Sequence, residues 1–259
     1  MQKPILNVIK IGGNVIDNAP QLEQFLQDFA SIEGFSLLVH GGGKIATEMA
    51  KELGIESQMI EGRRVTDEAS LRIVSMVYAG WINKSIVAQL QSKGKNALGL
   101  SGPDGRLVIS KKRNPEPIDY GFVGDIEKIN GQALSQLIQL GYHPVFAPIT
   151  ANKEGQLLNT NADTMAQALA IALSEFYQVN LIYCFEKQGV LMDPENDDSV
   201  INSINRETFE ALKKEGIVSA GMIPKLENAL NAISKGVHEV QITHAKNLKF
   251  PSKGTTLKA

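Results

Sequence analysis

Short apolar runs alternate with helical patterns along almost the whole chain, and this alternation constrains the fold more than any other feature. The run from Ile5 to Ile11 is typical of a buried strand, and the apolar residues between Leu22 and Phe29 then repeat at helical spacing. The same succession returns through strand-like runs at 36–39, 96–100, 144–149, 180–185 and 237–243. Such alternation predicts an α/β fold with a mostly parallel sheet and helices on both of its faces.

Local signals place the helices and turns between these runs. Helices are predicted from about residue 20 and over 67–93, 134–140, 162–173, 206–215 and 225–235, with Asn18 and Thr66 as N-caps. The PDG segment at 103–105 predicts a hairpin between Leu100 and Leu107, and the polar stretch 111–129 predicts a lid or flap. No break in composition divides the chain, so a single domain over residues 1–259 is expected.

Composition and charge argue against several classes of protein. The chain has 259 residues, of which 43% are apolar, and its formal net charge of -2 leaves no broad basic surface for nucleic acid or an anionic membrane. Cys184 is the single cysteine, so no intrachain disulfide can form and a reducing, cytoplasmic location is expected. No apolar run reaches the roughly 18 residues of a membrane span, and the N-terminus lacks a signal-peptide pattern.

Lys10, Gly12 and Gly13 stand at the predicted end of the first strand. In open α/β sheets, ligands bind beyond the carboxyl ends of the strands. A lysine there, followed by two glycines, sets a cation beside bare backbone N–H groups, which suits a phosphate. Taken alone, these residues are explained equally well by a solvated lysine before a turn.

A second glycine turn, from Val39 to Lys44, follows the next strand-like run. Its glycines let an anion approach the backbone closely, and the following helix adds its N-terminal dipole. A P-loop is excluded because Leu38 stands where that motif needs its first glycine. The glycine spacing with Ala46 and the later Glu61 fits a dinucleotide-binding turn. A turn for a carboxylate or phosphate also explains why two successive strands both end in glycines.

Three further segments carry side chains suited to anionic ligands. In GRRVT, Arg63 and Arg64 point to opposite sides of an extended segment, so at most one of them faces a site. In NTNAD, Asn161 or Thr160 can cap the next helix, which leaves the other polar residues free for a ligand. In GMIPK, Lys225 falls in the first turn of a helix, against the helix dipole, which raises the case for a catalytic role.

The histidines and the cysteine contribute little to a functional hypothesis. The four histidines, His40, His143, His238 and His244, show no metal-ligand spacing. Cys184 lies in a predicted buried strand and is expected to be a core residue rather than a nucleophile. No metal-binding side chain is therefore predicted.

Taken in order, these segments resemble the amino acid kinase family. The motifs that carry the resemblance are KIGG, VHGGG, GRRVT, NTNAD and GMIPK, with GFVGDI in the middle and GTTL at the end. They span the chain from Lys10 to Leu257, and they look most like the members that phosphorylate N-acylated glutamate. The resemblance implies a three-layer α/β sandwich with a mainly parallel, eight-stranded central sheet.

The resemblance also implies a reaction and the residues for it. The γ-phosphoryl group of ATP would pass to the side-chain carboxylate of N-acetylglutamate, the second step of arginine biosynthesis. Lys10 and Lys225 would stabilise the transferring phosphoryl group, and Asp163 would orient both lysines. The acylglutamate would be bound by Gly42, Gly43, Arg64 and Asn159, with the arginine on its α-carboxylate.

The resemblance further implies two lobes, with the acylglutamate bound in about 1–175 and ATP bound in about 176–259. ATP and Mg²⁺ are the expected cofactors. Gly12 and Gly13 would offer backbone donors to phosphate, and Gly189 and Gly221 would lie at the nucleotide.

The sequence departs from the family pattern at two places. Relatives usually have an aspartate-rich turn after the strand that ends here at Phe185, whereas this chain has Glu186 and Lys187, so the detailed nucleotide contacts are expected to differ. Arginine-inhibited relatives have an extra N-terminal helix that links dimers into a hexamer, whereas here the first strand begins at about Ile5. A homodimer that free arginine does not inhibit is therefore expected.

The sequence leaves other functions open. An N-succinylglutamate kinase would need a further cation, such as Arg63, for the added carboxylate, and other members of the family act on different amino acids, carbamate or UMP. From other classes come an NAD-dependent oxidoreductase built on the turn at 41–46 and a ligand sensor without activity. The joint presence of Lys10, Lys225 and Asp163 counts against the sensor, which needs no cations for phosphoryl transfer.

Overall fold

The computed structural model of the protein describes residues 2–60, 63–193, 195–218, 222–250 and 253–258. The strands are β1 (Ile5–Ile11), β2 (Phe35–His40), β3 (Met59–Ile60), β4 (Arg63–Arg64), β5 (Ala97–Leu100), β6 (Val108–Lys112), β7 (Gly124–Ile129), β8 (His143–Phe146), β9 (Ile149–Ala151), β10 (Leu157–Asn159), β11 (Gln178–Phe185), β12 (Ser203–Ile204), β13 (Glu239–His244) and β14 (Thr255–Leu257). The helices are α1 (Gly13–Ile16), α2 (Ala19–Ala30), α3 (Gly43–Glu52), α4 (Glu68–Val74), α5 (Asn83–Ser92), α6 (Gly131–Gln139), α7 (Ala162–Leu173), α8 (Arg206–Lys214) and α9 (Ile223–Ser234). A π-helix, Ser75–Ile82, joins α4 to α5 without a break.

An eight-stranded sheet, in the order β12-β14-β13-β11-β1-β2-β8-β5, forms the centre of the fold. The strands from β13 to β5 in this order run parallel, whereas β14 is antiparallel to β13 and parallel to β12. β1 lies in the middle because its apolar residues tolerate burial between β2 and β11. The predicted α/β fold with a mainly parallel central sheet is confirmed.

Alternate side chains of β1 enter two separate cores. Leu6 and Val8 pack in one core with side chains of α6, α7 and α9. Ile9 and Ile11 pack in the other core with side chains of α2, α3 and α5. The helices therefore form the two outer layers of a three-layer sandwich. Because side chains alternate along a strand, Lys10 faces the same side as Leu6 and Val8, where α7 and α9 lie.

The predicted functional strands end at one edge of the central sheet. In the parallel registers, Ile11 of β1 pairs with His40 of β2 and with Cys184 of β11. The carboxyl ends of these strands therefore place Lys10, His40 and Phe185 side by side, at the edge where ligands bind in open α/β sheets.

The predicted hairpin around 103–105 is wrong. Leu100 pairs with Phe146 in the central sheet, whereas β6 belongs to a separate four-stranded sheet in the order β10-β9-β6-β7. A 3-10 turn, Asp104–Arg106, carries the chain from one sheet to the other. A Cβ on Gly102 would lie 2.9 Å from the Thr150 Cα, so this glycine lets the crossing chain pass close to β9.

The predicted cap of the long helix also needs correction. Asp67, rather than Thr66, caps α4, because its side chain accepts a hydrogen bond from the Ser70 N–H at 2.7 Å. The Thr66 hydroxyl is already engaged, since it donates to the Arg64 carbonyl oxygen at 3.3 Å and accepts from Asn159 Nδ2 at 3.0 Å. The chain therefore uses Thr66 to connect two functional segments.

The cap of α2 agrees with its prediction, because Asn18 Oδ1 accepts a hydrogen bond from the Gln21 N–H at 3.1 Å. None of the helices in the described ranges is both long enough and apolar enough to cross a membrane.

Candidate active site

Lys10 forms a partly buried ion pair at the carboxyl end of β1. Its Nζ lies 2.7 Å from Oδ1 of Asp163, which stands in the first turn of α7. Lys10 is only 8% exposed, so its charge acts through a medium that screens less than water does. Breaking such a pair would leave a poorly solvated charge, and the pair therefore holds the ammonium group in place.

The ring of Phe185, the last residue of β11, lies against both of the predicted catalytic lysines. Lys225 Nζ is 4.2 Å from the ring centroid, and Lys10 Nζ is 5.1 Å from it. Tyr183, two residues earlier on the strand, stacks on Phe185 with ring centroids 6.0 Å apart. The fold thus brings together two lysines from opposite ends of the chain.

Tyr183 connects this aromatic pair to the acidic residue. Its hydroxyl donates a hydrogen bond to the Asp163 carbonyl oxygen at 3.3 Å. Burial, together with the nearby Asp163 carboxylate, raises the pKa of Tyr183 far above its ordinary value, so the hydroxyl stays protonated. Tyr183 therefore holds the start of α7 against β11.

The glycine turn after β2 is braced by the π-helix. Gly42 has a φ of 145°, and a Cβ on it would overlap Cδ1 of Ile82 and lie 3.2 Å from Cδ1 of Tyr78. Only glycine combines this backbone conformation with so close a contact. Tyr78 and Ile82 belong to the π-helix and pack directly on this turn, and π-helical segments are frequent at functional sites.

His40 braces the same turn from within the sheet. Its Nδ1 lies 2.8 Å from the Gly41 carbonyl oxygen, and its Nε2 lies 3.1 Å from Nδ2 of Asn83. These contacts assign the proton to Nδ1, which donates, and make Nε2 an acceptor. Burial lowers the pKa of His40 to about 4, so the ring is neutral at neutral pH. His40 therefore acts as a fixed hydrogen-bonding group.

Arg64 is held by three hydrogen bonds at the edge of the same turn. Its Nη2 donates to the Gly43 carbonyl oxygen at 2.8 Å and to Thr47 Oγ1 at 2.7 Å, and its Nη1 donates to Ser57 Oγ at 2.6 Å. All three partners are uncharged. Among the described residues, which omit 61–62, no carboxylate forms an ion pair with Arg64. A guanidinium that is 8% exposed and held by neutral partners retains its charge for an anionic ligand. Arg63 is exposed and lines the same cavity, so the expectation that at most one of the two arginines faces the site is wrong.

In the NTNAD segment, one asparagine caps α7 and another bonds to the segment that carries Arg64. Asn161 Oδ1 accepts from the Thr164 N–H at 3.0 Å and caps α7, as one of the two predicted candidates. Asn159 Nδ2 donates to Thr66 Oγ1 at 3.0 Å, which ties this segment to the one that carries Arg64.

A cavity of about 340 Å³ gathers most of the predicted residues. Lys10 is not among the described lining residues, but its ammonium group contacts two of them, Asp163 and Phe185. The predicted residues among those that line the cavity are Gly42, Gly43, Arg64, Asn159, Asp163 and Lys225.

The glycines predicted for the nucleotide behave differently. Gly12 and Gly13 are not among the described lining residues, and the Gly12 N–H donates to the Cys184 carbonyl oxygen at 3.2 Å. Gly189 packs against β14, because a Cβ on it would lie 2.7 Å from Thr255 Oγ1. Gly221 falls outside the described residues, as does Glu61.

The described residues offer neither a cluster of metal ligands nor a reactive thiol. Among the residues that were placed, no group of three or more His, Cys, Asp and Glu side chains could hold a metal ion. Cys184 is fully buried, and burial raises the pKa of its thiol to about 12, which fits the predicted core role.

Comparison with known proteins adds to this geometry. The sequence model described as the amino acid kinase family matches residues 6–244. The chain belongs to the amino acid kinase family. Acetylglutamate kinase of Cytophaga hutchinsonii is 55% identical to it over 249 residues, which cover 96% of this chain and 94% of that one. Acetylglutamate kinase of Bacteroides thetaiotaomicron is 52% identical over 253 residues, which cover 98% of each chain. The solved structure of smu.665 from Streptococcus mutans UA159 has a TM-score of 0.77 at 28% identity and covers 98% of each chain.

Within this amino acid kinase fold, the lining residues that sequence reasoning missed include Tyr78, Arg113, Tyr183 and Phe185. The two on β11 carry a usable signal, since aromatic residues at alternate positions near the carboxyl end of a parallel strand share one face and reach the ligand edge. Arg113 follows β6 in the polar stretch and pairs with Asp125, with Nε 3.0 Å from Oδ1. Nothing local in the sequence marks Tyr78 or Arg113 as lining residues.

Proposed function

We propose that this member of the amino acid kinase family transfers the γ-phosphoryl group of ATP to the side-chain carboxylate of N-acetyl-L-glutamate. The product would be N-acetyl-L-glutamyl 5-phosphate, formed in the second step of arginine biosynthesis. The relatives that share half of the sequence over nearly its full length support this substrate. The observation that carries the proposal is one cavity lined by a fixed guanidinium, Arg64, and by Lys225, with the Lys10 ammonium group held beside it by Asp163 and Phe185.

The reaction needs little covalent assistance from the protein. A carboxylate oxygen attacks the γ-phosphorus, the new C–O–P link forms, and the bond from that phosphorus to the bridging oxygen breaks, so that ADP leaves with its electron pair. The carboxylate is already ionised, so no general base is required. Bringing two anions together and stabilising the phosphoryl charge are the main tasks.

Lys10 and Lys225 are the proposed catalytic residues for those tasks. Both ammonium groups contact the Phe185 ring, and each can donate hydrogen bonds to oxygens of the transferring group. Asp163 is proposed to orient the lysines. Its 2.7 Å contact with Lys10 supports this for Lys10, whereas Lys225 lies on the ring and stands apart from the recorded ion pair.

The acylglutamate is proposed to bind Gly42, Gly43, Arg64 and Asn159. Arg64 would receive the α-carboxylate with the Nε and Nη1 hydrogens that its bonds to Gly43, Thr47 and Ser57 leave, while the glycine turn offers close approach to backbone groups. In this proposed arrangement one end of the substrate would lie at α3 and its side-chain carboxylate would point toward the lysines. The proposed acylglutamate lobe is accordingly about 1–175.

The nucleotide is proposed to bind mainly in the lobe of about 176–259, with Gly189 and Gly221 nearby and Gly12 and Gly13 toward its phosphates. Gly13 is the better backbone donor of that pair, because the Gly12 N–H is engaged by the Cys184 carbonyl oxygen. Mg²⁺ commonly binds through substrate phosphates and few carboxylates, and Asp163, the carboxylate at the cavity, is compatible with such a role. When bound, Mg²⁺ neutralises phosphate charge.

A homodimer in the cytoplasm is the proposed assembly and location. Met76 and Trp81, 57% and 70% exposed, form an apolar part of the π-helix surface that a second copy could cover. Sedimentation velocity tests this directly, with one species of about twice the monomer mass expected. A monomer or a hexamer would contradict the proposal.

The substrate is tested by steady-state ADP release with N-acetylglutamate, N-succinylglutamate and glutamate at saturating ATP and Mg²⁺. The highest kcat/KM is expected for N-acetylglutamate. A preference for N-succinylglutamate would change the acyl group, and a preference for free glutamate would reject both. ATP with Mg²⁺, but not NAD, is expected to raise the melting temperature.

A further inference from the structure

The ammonium groups of Lys10 and Lys225 lie beside the same aromatic ring, but only one of them has a carboxylate partner in the described part of the chain. Asp163 lies 2.7 Å from Lys10. Lys225 is an exposed residue, and the ion pairs of the described residues, which omit 219–221, include none for it. Its Nζ nevertheless lies 4.2 Å from the Phe185 ring centroid, at the edge of the site. The ring is therefore the candidate for the group that positions this ammonium ion.

The Phe185 ring has the properties of that group. The face of an aromatic ring carries partial negative charge and attracts an ammonium ion within about 6 Å of its centroid, and both lysines satisfy this distance. The separation of the two ammonium groups cannot exceed the sum of their distances from the centroid. They are thus close enough to flank one phosphoryl group, and the ring links them.

A ring also differs from a carboxylate in what it leaves available. A second carboxylate would accept hydrogen bonds from the Lys225 ammonium group and cancel its charge. The ring attracts the cation without a strong acceptor atom, so the N–H donors remain for phosphoryl oxygens. Ordering the side chain beforehand also removes part of the entropy cost of organising the site during reaction.

The ring itself is held in place. Tyr183 stacks on Phe185 with an interplanar angle of 16° and donates a hydrogen bond to the Asp163 carbonyl oxygen. Phe185 is half-buried and packs against the core that includes α7 and α9. One aromatic pair therefore contacts the backbone of Asp163 and both lysines.

From this geometry we propose that Phe185 is a positioning residue, whose ring holds the ammonium groups of Lys10 and Lys225 ready for phosphoryl transfer. This inference rests on the proposed function for its catalytic consequence. Its structural part, the restraint of Lys225 by the ring, does not depend on the identity of the substrate.

The test compares Phe185→Leu with Phe185→Tyr, which keeps the ring, and with Phe176→Leu as a matched control. Phe176 is a half-buried phenylalanine packed against the same core, and the recorded cation–ring contacts do not include it. Phe185→Leu is expected to lower kcat about tenfold, which corresponds to about 1.4 kcal/mol, with KM for N-acetylglutamate changed less than about threefold. The other two variants are expected to keep kcat within about threefold.

A second readout needs no catalysis. Lys225 in the full-length protein is acetylated with acetic anhydride, and its rate of labelling is followed by mass spectrometry. Phe185→Leu is expected to raise that rate at least about twofold, because the ammonium group loses its ring contact, whereas Phe185→Tyr and Phe176→Leu are expected to match the wild type.

The outcomes separate the two proposals. An unchanged Lys225 labelling rate in Phe185→Leu overturns the restraint, and so does an equal rise in Phe176→Leu. An unchanged kcat in Phe185→Leu, or an equal loss in Phe185→Tyr, overturns the positioning role. If the wild-type protein does not phosphorylate N-acetylglutamate, the proposed function fails, while the labelling experiment still decides whether Phe185 restrains Lys225.

Discussion

Replacement of Arg64 by lysine keeps the positive charge and removes the planar fork, so it isolates the geometry of the proposed carboxylate contact. In the structure the guanidinium donates to Gly43, Thr47 and Ser57 while remaining at the cavity surface. A lysine ammonium group presents a single point of charge and cannot serve those acceptors and a substrate carboxylate together.

The size of the effect follows from the bonds that are lost. A lysine ammonium group loses at least one hydrogen bond between charged groups that the guanidinium can make, worth about 1.5–3 kcal/mol. At about 1.4 kcal/mol per factor of ten, KM for N-acetylglutamate should rise about 10- to 100-fold. Because the α-carboxylate is remote from the transferred group, kcat should fall much less.

The assay is steady-state ADP release with N-acetylglutamate varied at saturating ATP, together with the melting temperature of each variant. Arg72→Lys is the matched control, because Arg72 is an exposed arginine that pairs with Glu68 and is not among the described lining residues of the cavity, and it should leave KM within about threefold. Equal KM effects in the Arg64 and Arg72 variants, or an Arg64→Lys effect confined to kcat, would refute the placement of the α-carboxylate.

Three other perturbations test separate parts of the site. Lys10→Ala and Lys225→Ala should each lower kcat by on the order of 10²–10³ in a protein that still folds, and Lys10→Ala should also lower the melting temperature because it leaves Asp163 without its partner; near-normal kcat in both would be incompatible with their roles. His40, whose pKa burial lowers to about 4, binds fewer protons in the folded than in the unfolded state between pH 4 and 6.5. Its contribution to the free energy of unfolding, about 3 kcal/mol, should therefore be complete above pH 6.5 and lost as pH falls toward 4. Urea titrations across this range should show a shallower pH dependence of the free energy of unfolding for His40→Asn than for the wild type. Identical pH dependence would show that burial does not lower the pKa of His40. Gly42→Ala should lower the melting temperature by about 5 °C, because the added Cβ meets Ile82 and the backbone has positive φ; an unchanged value would mean that the turn relaxes freely.

The central sheet could be predicted because its strands have a local sequence signal, a short apolar run. The run Ile5–Ile11 is apolar except at Asn7 and Lys10, and burial on both faces is what such a run requires. Helix ends could be predicted where one polar residue stood before the helix, as with Asn18. The cap of α4 could not, because Thr66 and Asp67 are both good caps and the choice depends on the contact of Thr66 with Asn159.

Signals that depend on distant partners were the ones that failed. The PDG turn at 103–105 looked like a hairpin because its local chemistry favours a turn, but Leu100 finds its partner in Phe146 of a strand much further along. The π-helix could not be predicted from the sequence for a similar reason. Its residues are apolar and helical in pattern, and the wider turn is set by packing against Gly42.

In the candidate site, too, local motifs could be predicted and contacts between distant segments could not. The five motifs and their order supported Lys10, Asp163 and Lys225, and the family assignment and the acetylglutamate kinase relatives agree with the predicted activity. Phe185 was noted as the end of a strand and as the start of a departure from the family pattern. Its contact with two lysines exists only after β1, β11 and α9 have assembled.

The central claim is that the chain makes an acyl phosphate on the side-chain carboxylate of N-acetylglutamate, and trapping that product with hydroxylamine tests it most directly. The acyl phosphate reacts to give the 5-hydroxamate of N-acetylglutamate, whose mass and amount can be compared with ADP formed. One hydroxamate for each ADP is predicted for the wild-type protein, with both falling together in Lys10→Ala. ADP release without hydroxamate would contradict the claim, because the phosphoryl group would then have gone to an acceptor other than the carboxylate.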